Sequence, residues 1–188
     1  SQDIIVKNSV FAFNRRQGIT IGGADNVLIL DNVIHDIRGT APQSGIDVEG
    51  GVGENGFPNT NIFIKDNHLY NNAAYDVILF DGKDAIVEGN YLGSKGAIGL
   101  AISEPFRGAM IKDNLFDGTR IVAYQDATFL NNEMHNSYTY FTGPNIEIDG
   151  MIFIDSKFSI SSRVPFGVSA SNITVESNKV SDSGLSSW

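Results

Sequence analysis

A short pattern of apolar and polar positions recurs along this chain. Apolar residues alternate with others over a short stretch, a polar residue and an asparagine follow, and a second apolar pair closes the unit. The first copies read Ile4-Ile5-Val6-Lys7-Asn8-Ser9-Val10-Phe11 and Val27-Leu28-Ile29-Leu30-Asp31-Asn32-Val33-Ile34. Next come Ile62-Phe63-Ile64-Lys65-Asp66-Asn67-His68-Leu69, Ala85-Ile86-Val87-Glu88-Gly89-Asn90-Tyr91-Leu92 and Ala109-Met110-Ile111-Lys112-Asp113-Asn114-Leu115-Phe116. Looser copies occupy 128–134, 146–152 and 173–180. Alignment on Asn8, Asn32, Asn67, Asn90, Asn114, Asn132, Gly150 and Asn178 gives steps of 24, 35, 23, 24, 18, 18 and 28 residues. Alternation of this kind predicts short strands, and a period of this length predicts stacked repeats, each one coil of a solenoid.

A third apolar stretch lies between successive units: Gly18 to Gly22, Gly45 to Glu49, Asp76 to Phe80, Gly99 to Ser103 and Arg120 to Tyr124. Three short strands per turn, each bounded by Asn or Gly, predict an all-β fold: a parallel β-helix of about eight coils. Asn suits a sharp corner because it tolerates left-handed backbone. Its amide also reaches the equivalent Asn one coil away, ~4.8 Å along the axis. A leucine-rich solenoid would need a Leu consensus, and a β-sandwich would not repeat one Asn corner. The 188 residues fit one domain. The expectation is a single β-helix domain over 1–188, cut from a longer chain. The chain begins in a strand at Asp3-Ile4 and ends near Ser183-Gly184-Leu185 with no helical cap in view.

Composition narrows the partners. With 13 Lys+Arg against 22 Asp+Glu the net charge is -9, which disfavours nucleic acid and anionic membrane surfaces. No apolar run approaches a membrane span, so membrane insertion is not expected. Cysteine is absent, which removes disulfides, thiolate zinc sites and a cysteine nucleophile. There are 20 Gly, 18 Asn and 22 Ile, the mixture expected of many short strands and tight turns.

The stretch Arg15-Arg16-Gln17-Gly18-Ile19-Thr20-Ile21, with His35-Asp36-Ile37 and Gly45-Ile46-Asp47-Val48-Glu49, is similar to repeats in bacterial surface proteins and in phage tailspikes and neck appendages. The whole chain resembles the right-handed parallel β-helix superfamily, the pectate-lyase-like group. That resemblance implies a right-handed solenoid that grips or cleaves polysaccharide outside the cell, at a cell surface or on a virion. It does not define the reaction, because fold alone does not give function.

Candidate chemistry sits on the third strands. Alternation turns Ile46 and Val48 inward and Asp47 and Glu49 outward. Two carboxylates on one face two residues apart suit a glycosidase acid and base, or are simply solvated acids. The insertion over about 50–60, rich in Gly, follows Glu49 directly and would wall a groove or be a tolerated excursion. Glu104 is a third candidate catalytic acid. Arg16 and Arg107 would hold substrate charge; Phe80 and Tyr124 would stack on sugar; Asp81 and His35 complete the set of substrate-binding candidates. His35 is equally a structural residue oriented by Asp36. An outward apolar stripe of Ile78, Phe80 and Val122 points instead to association, with a homotrimer as the expected form.

No cofactor and no metal site is expected. The nonapeptide calcium repeat of some β-helices is missing, no His pair has metal-ligand spacing, and no helix follows Gly22-Gly23 or Gly50-Gly51 to make a phosphate loop. The catalytic sets of related enzymes are also missing. Paired aspartates with Gly-His-Gly and Arg-Ile-Lys do not occur; Arg120-Ile121-Val122 is a fragment of the last. The Tyr-Gly and Asp-Pro-His element of alginate epimerases is absent, and no pectate-lyase calcium and Arg set can be matched. Two functions therefore stand side by side: a polysaccharide hydrolase or lyase, and a non-catalytic shaft, adhesin or binding segment. An ice-binding face is set aside, because Thr20 is not continued at Asp47, Ile78 or Ala101.

Overall fold

The computed structural model describes residues 1–50, 57–161, 164–165 and 167–177. Among them the strands form three sheets, and every pairing is parallel, joining each strand to its counterpart one coil on. The first sheet stacks eight strands from Gln2–Lys7 to Val168–Ser171. The second stacks eight three-residue strands from Val10–Ala12 to Thr174–Glu176. The third stacks six, from Gln17–Ile21 to Tyr138–Phe141. This is the architecture expected from the repeat.

The core is a set of columns along the axis. In the first sheet Val27, Ile62, Ala85, Ala109, Ala127 and Ile146 stand in register and all face inward. Aliphatic side chains fill the early coils, while Phe106, Phe116, Phe129, Phe141 and Phe153 fill the later ones. Ile46 and Val48 are both 0% exposed, as alternation along their strand requires. Gly45 has a steric reason: a Cβ there would lie 2.7 Å from the Asp76 carbonyl oxygen and 2.7 Å from a Leu69 methyl.

The corner between the first and second sheets is a ladder of five buried asparagines. The side-chain oxygens of Asn67, Asn90, Asn114 and Asn132 each accept from both the backbone N and the Nδ2 of the asparagine one coil before, at 2.9–3.1 Å. Each Nδ2 also donates to a backbone carbonyl, as Asn90 does to Ile64 at 2.9 Å. Every polar group on these buried side chains thereby has a partner, which burial demands. The ladder starts where the Ser9 N–H donates to Asn32 and stops at the buried apolar Met151.

Three details differ from the sequence expectation. The left-handed residue is not the ladder asparagine but the one before it: Asn8, Asp31, Asp66, Gly89, Asp113, Asn131 and Gly150 all have φ between 51 and 70°. Asn8 and Gly150 therefore belong to this preceding position, not to the ladder, because Lys7 pairs with Leu30 and Leu130 with Asp149. In the last repeat, Thr174–Glu176 is a strand of the second sheet, so Ile173-Thr174-Val175 does not open a coil. Asn172, with φ 51°, takes the corner position there, and Asn178 lies outside the described residues. The insertion after Glu49 also falls largely outside them.

A second, less regular ladder closes the corner between the second and third sheets. Ile37 N donates to Asn72 Oδ1 at 3.2 Å, Asn72 N to Ser94 Oγ at 2.7 Å, Thr119 N to Ser137 Oγ at 3.0 Å and Ser137 N to Ser156 Oγ at 3.0 Å. The fully buried Asp76 is wedged into this corner, accepting from Asn72 Nδ2 and from the Ser94 N–H and hydroxyl. Burial pushes its carboxyl up to about 6.

Candidate functional site

The outer face of the third sheet carries a groove of about 510 Å³. Register places three outward columns across it. Thr20, Asp47, Ile78, Ala101, Val122 and Tyr140 form the central one. Ser44, Tyr75 and Ile98 run along one flank, and Glu49, Phe80, Ser103 and Tyr124 along the other. The groove is polar at the Asp47–Glu49 end and apolar over Ile78, Ala101 and Val122. Pro42 and Ala41, from the long turn before strand Ser44–Val48, form a rim at the polar end.

One amide organises the polar end. Gln17 Nε2 donates to Asp47 Oδ2 at 3.0 Å and to Glu49 Oε1 at 2.6 Å. Arg16 donates through its NH1 to Gln17 Oε1 at 3.1 Å and lies 3.5 Å from Glu49 Oε1. Its Nε donates to the Ala41 carbonyl at 3.0 Å. Asp47 faces outward as its strand position requires, yet it is only 2% exposed. That burial raises its carboxyl above the ordinary range, and the Glu49 charge adds to the rise; the Gln17 and Ser44 hydrogen bonds and Arg16 oppose it. Two neighbouring acids are thus placed in unequal settings, one dry and one paired with a guanidinium at the surface, the arrangement that separates a proton donor from a carboxylate.

The groove gathers Arg16, Asp47, Glu49, Phe80 and Tyr124. Phe80 is 51% exposed at its edge. Four other candidates lie elsewhere. Asp81 turns the corner after Phe80, its carbonyl accepting from Asn59 Nδ2 at 3.2 Å. Glu104 sits exposed in the turn after Ser103, where its carbonyl accepts from Arg107 and Gln125. Arg107 opens a strand of the first sheet and pairs with Asp126 at 3.0 Å. His35 is on the second sheet, 2.7 Å from Asp36. Asp81, Glu104 and Arg107 were drawn in because each follows a third strand in the sequence, and His35 because Asp36 stands beside it; none of the four lines the groove. Gln17, Tyr75 and Ile98 were missed; Gln17 and Ile98 each stand directly before the Gly of a third strand, and register aligns Gln17, Ser44, Tyr75 and Ile98 in one column.

Three parallel sheets wound coil upon coil, closed by an asparagine ladder, define a parallel β-helix. The chain belongs to the family described as right handed beta helix region, whose model matches residues 1–117. It is 31% identical over 117 residues to the uncharacterized protein YclG of Bacillus subtilis strain 168, which covers 60% of this chain and 20% of that protein. Among solved structures it is similar to a double mutant of the periplasmic alginate epimerase AlgG, with a TM-score of 0.68 and 17% identity over 93% of this chain and 46% of that one. It is also similar to the catalytic unit of a thermostable GH87 alpha-1,3-glucanase from Streptomyces thermodiastaticus, with a TM-score of 0.52 and 16% identity over 93% of this chain and 43% of that one. The chain spans a fifth of its curated relative and under half of these two structures. At such identities the structural likeness is one of fold.

Proposed function

We propose that this chain is the glycan-handling segment of a carbohydrate-active β-helix protein that works outside the cytoplasm, and that the groove on the third sheet binds and hydrolyses a polysaccharide. The observation that carries the reading is the Asp47–Gln17–Glu49–Arg16 cluster at the end of an aromatic-edged trough. Phe80, Tyr75 and Tyr124 offer aromatic surface for sugar rings beside a few hydrogen-bonding groups, the usual make-up of a ligand groove. Asp47, whose burial shifts its carboxyl toward the protonated form, is the proton donor to the glycosidic oxygen as the bond breaks. Glu49 supplies the carboxylate. Two oxygens accepting from one amide nitrogen at 3.0 and 2.6 Å lie within about 6 Å of each other. That closeness supports direct attack by Glu49 on the anomeric carbon, then hydrolysis of the glycosyl ester by water that Asp47 deprotonates.

Hydrolysis is favoured over elimination by the state of Arg16. A lyase needs a cation to hold the uronate carboxylate, and this guanidinium is already engaged by Glu49, Gln17 and the Ala41 carbonyl. That the two similar structures are an alginate epimerase and an alpha-1,3-glucanase lends support to a glycan ligand without selecting one. A second reading, a non-catalytic shaft or adhesive segment, draws on one observation: Asp47 is 2% exposed beneath Gln17, so substrate reaches it only when Gln17 swings aside.

The test is a panel of neutral, uronate-containing and teichoic polymers, followed for new reducing ends and for the ultraviolet absorbance of unsaturated uronate. Reducing ends without that absorbance support hydrolysis. Absorbance would move the reaction to a lyase. Binding without cleavage would favour the second reading.

A further inference from the structure

The outer face of the second sheet carries a cluster of rings that the groove does not use. Register puts His35 one coil from Tyr70, and His68 one coil from Tyr91. His35 and Tyr70 stack at 4.8 Å with planes 5° apart, and His68 and Tyr91 at 4.4 Å and 13°. His68 meets Tyr70 edge-on at 5.3 Å, and Phe13 meets His35 edge-on at 5.6 Å. Five rings thus form one continuous surface over four coils.

The column that holds His35 and Tyr70 is interrupted one coil on by Gly93. Tyr70 therefore has a ring on its His35 side and none directly in register on the other. Tyr91 leans across the gap: a Cβ on Gly93 would lie 2.2 Å from the Tyr91 ring. The Tyr91 hydroxyl donates to Asp117 Oδ2 at 3.0 Å, which holds that ring in place. What remains beside Tyr70 is a concavity of about 430 Å³ lined by His68, Tyr70, Asn71, Tyr91, Gly93 and Lys95, within the size range of small-ligand pockets. Lys95 is exposed at its edge and forms no ion pair among the described residues. In a chain of net charge -9, Lys95 places a cation beside this ring-walled concavity.

We propose that this concavity is a second saccharide site, separate from the groove on the third sheet, and that it takes an acidic sugar. The sugar ring would lie against Tyr70 with its hydroxyls toward Asn71, and its carboxylate would meet Lys95. Aromatic faces carry negative π density that attracts the polarised C–H bonds of a sugar ring, and an ammonium beside an apolar wall favours a carboxylate. The proposal goes beyond the catalytic reading and does not depend on it, because none of its residues lines that groove.

The test follows the imidazole signals of His35 and His68 by NMR as oligogalacturonate is added to the full chain, with a neutral cello-oligosaccharide at equal concentration as control. Selective shifts with the acidic sugar are expected, together with at least a tenfold weaker affinity in Lys95→Glu. This exposed substitution leaves the fold intact, as a melting curve checks. The shifts should persist in Phe80→Ala, which alters only the groove. Three results would overturn the proposal: no shifts, equal shifts with both sugars, or a concentration-dependent dimer abolished by Tyr70→Ala, which would make the ring cluster a contact between copies.

Discussion

The asparagine corner and the outer face of the third sheet are built by the same coils and follow opposite rules. At the corner, one residue type repeats for five coils because each side chain must make the same bonds to the coil on either side. On the third sheet's outer face, the central column changes at every step from Thr20 to Asp47, Ile78, Ala101, Val122 and Tyr140. Nothing in the coil itself requires those residues. Repetition marks what the fold needs, and its breakdown on a rigid surface marks where a ligand is free to impose its own demands.

The sharpest way to break the structural half lies inside the groove's own strand. Ile46→Asp or Val48→Asp places a lone carboxylate in the sealed core, at a cost of several kcal/mol. Loss of the cooperative melt by circular dichroism is expected, whereas Asp47→Asn, between them, should melt normally.

Within the ladder the loss should be graded. Asn90→Ala strips the acceptor from Asn67 N and Nδ2 and removes the Nδ2 donor from Asn114 Oδ1 and the Ile64 carbonyl, which should cost about 3 kcal/mol in denaturant unfolding. Asn32→Ala, at the ladder's start, leaves one donor, Ser9 N, without its acceptor where Asn90→Ala leaves two, and should cost less. Equal losses would mean that the ladder bonds do not act as a chain.

The pH dependence separates the corner from the surface. Asp76 has a folded pKa of about 6 against an ordinary value of 3.8. A raised pKa means that the folded state holds its proton longer than the unfolded chain does. Its contribution is therefore fully present below 3.8 and is lost as pH rises through about 6. That difference is worth about 3 kcal/mol. Asp47 acts in the same direction. Half-buried Asp25, Asp36, Glu88 and Asp149 are shifted down by their hydrogen-bond partners, and lose their contributions only at more acidic pH. Thermal stability should fall from about pH 4 to about pH 6.5, and the fall should flatten in Asp76→Asn.

The coil was legible because its demands are local and repeated: inward Ile46 and Val48, the Asn corners, and the Gly near the start of three of the third-sheet strands. The left-handed position was misplaced by one residue because Asp31-Asn32 and Asp66-Asn67 offer two turn-forming residues in a row, and only the bonding pattern tells them apart. The pair Asp47 and Glu49 followed from alternation alone. Gln17, which joins them from the neighbouring coil, did not, since its partners are 30 and 32 residues away. Glu104, Arg107 and Asp81 show the converse: they are near the groove strands in sequence, yet none of the three lines the groove.

The smallest effects belong to the groove rim. Phe80→Ala should leave the melting curve within about 0.5 kcal/mol of wild type and weaken glycan binding several-fold by calorimetry. Glu49→Gln removes an exposed ion pair with Arg16 worth about 1 kcal/mol at most, so any large loss of cleavage in that variant is chemical and not structural.

The most direct test of the account is the Asp47→Asn/Glu49→Gln double variant, with cleavage of the best polymer and the melting curve measured on one preparation. The groove reading predicts no measurable cleavage and a melting midpoint at neutral pH no lower than wild type, because the amide at position 47 carries no buried ionisable group. Cleavage that persists in a folded variant, or a fold that is lost together with activity, would contradict it.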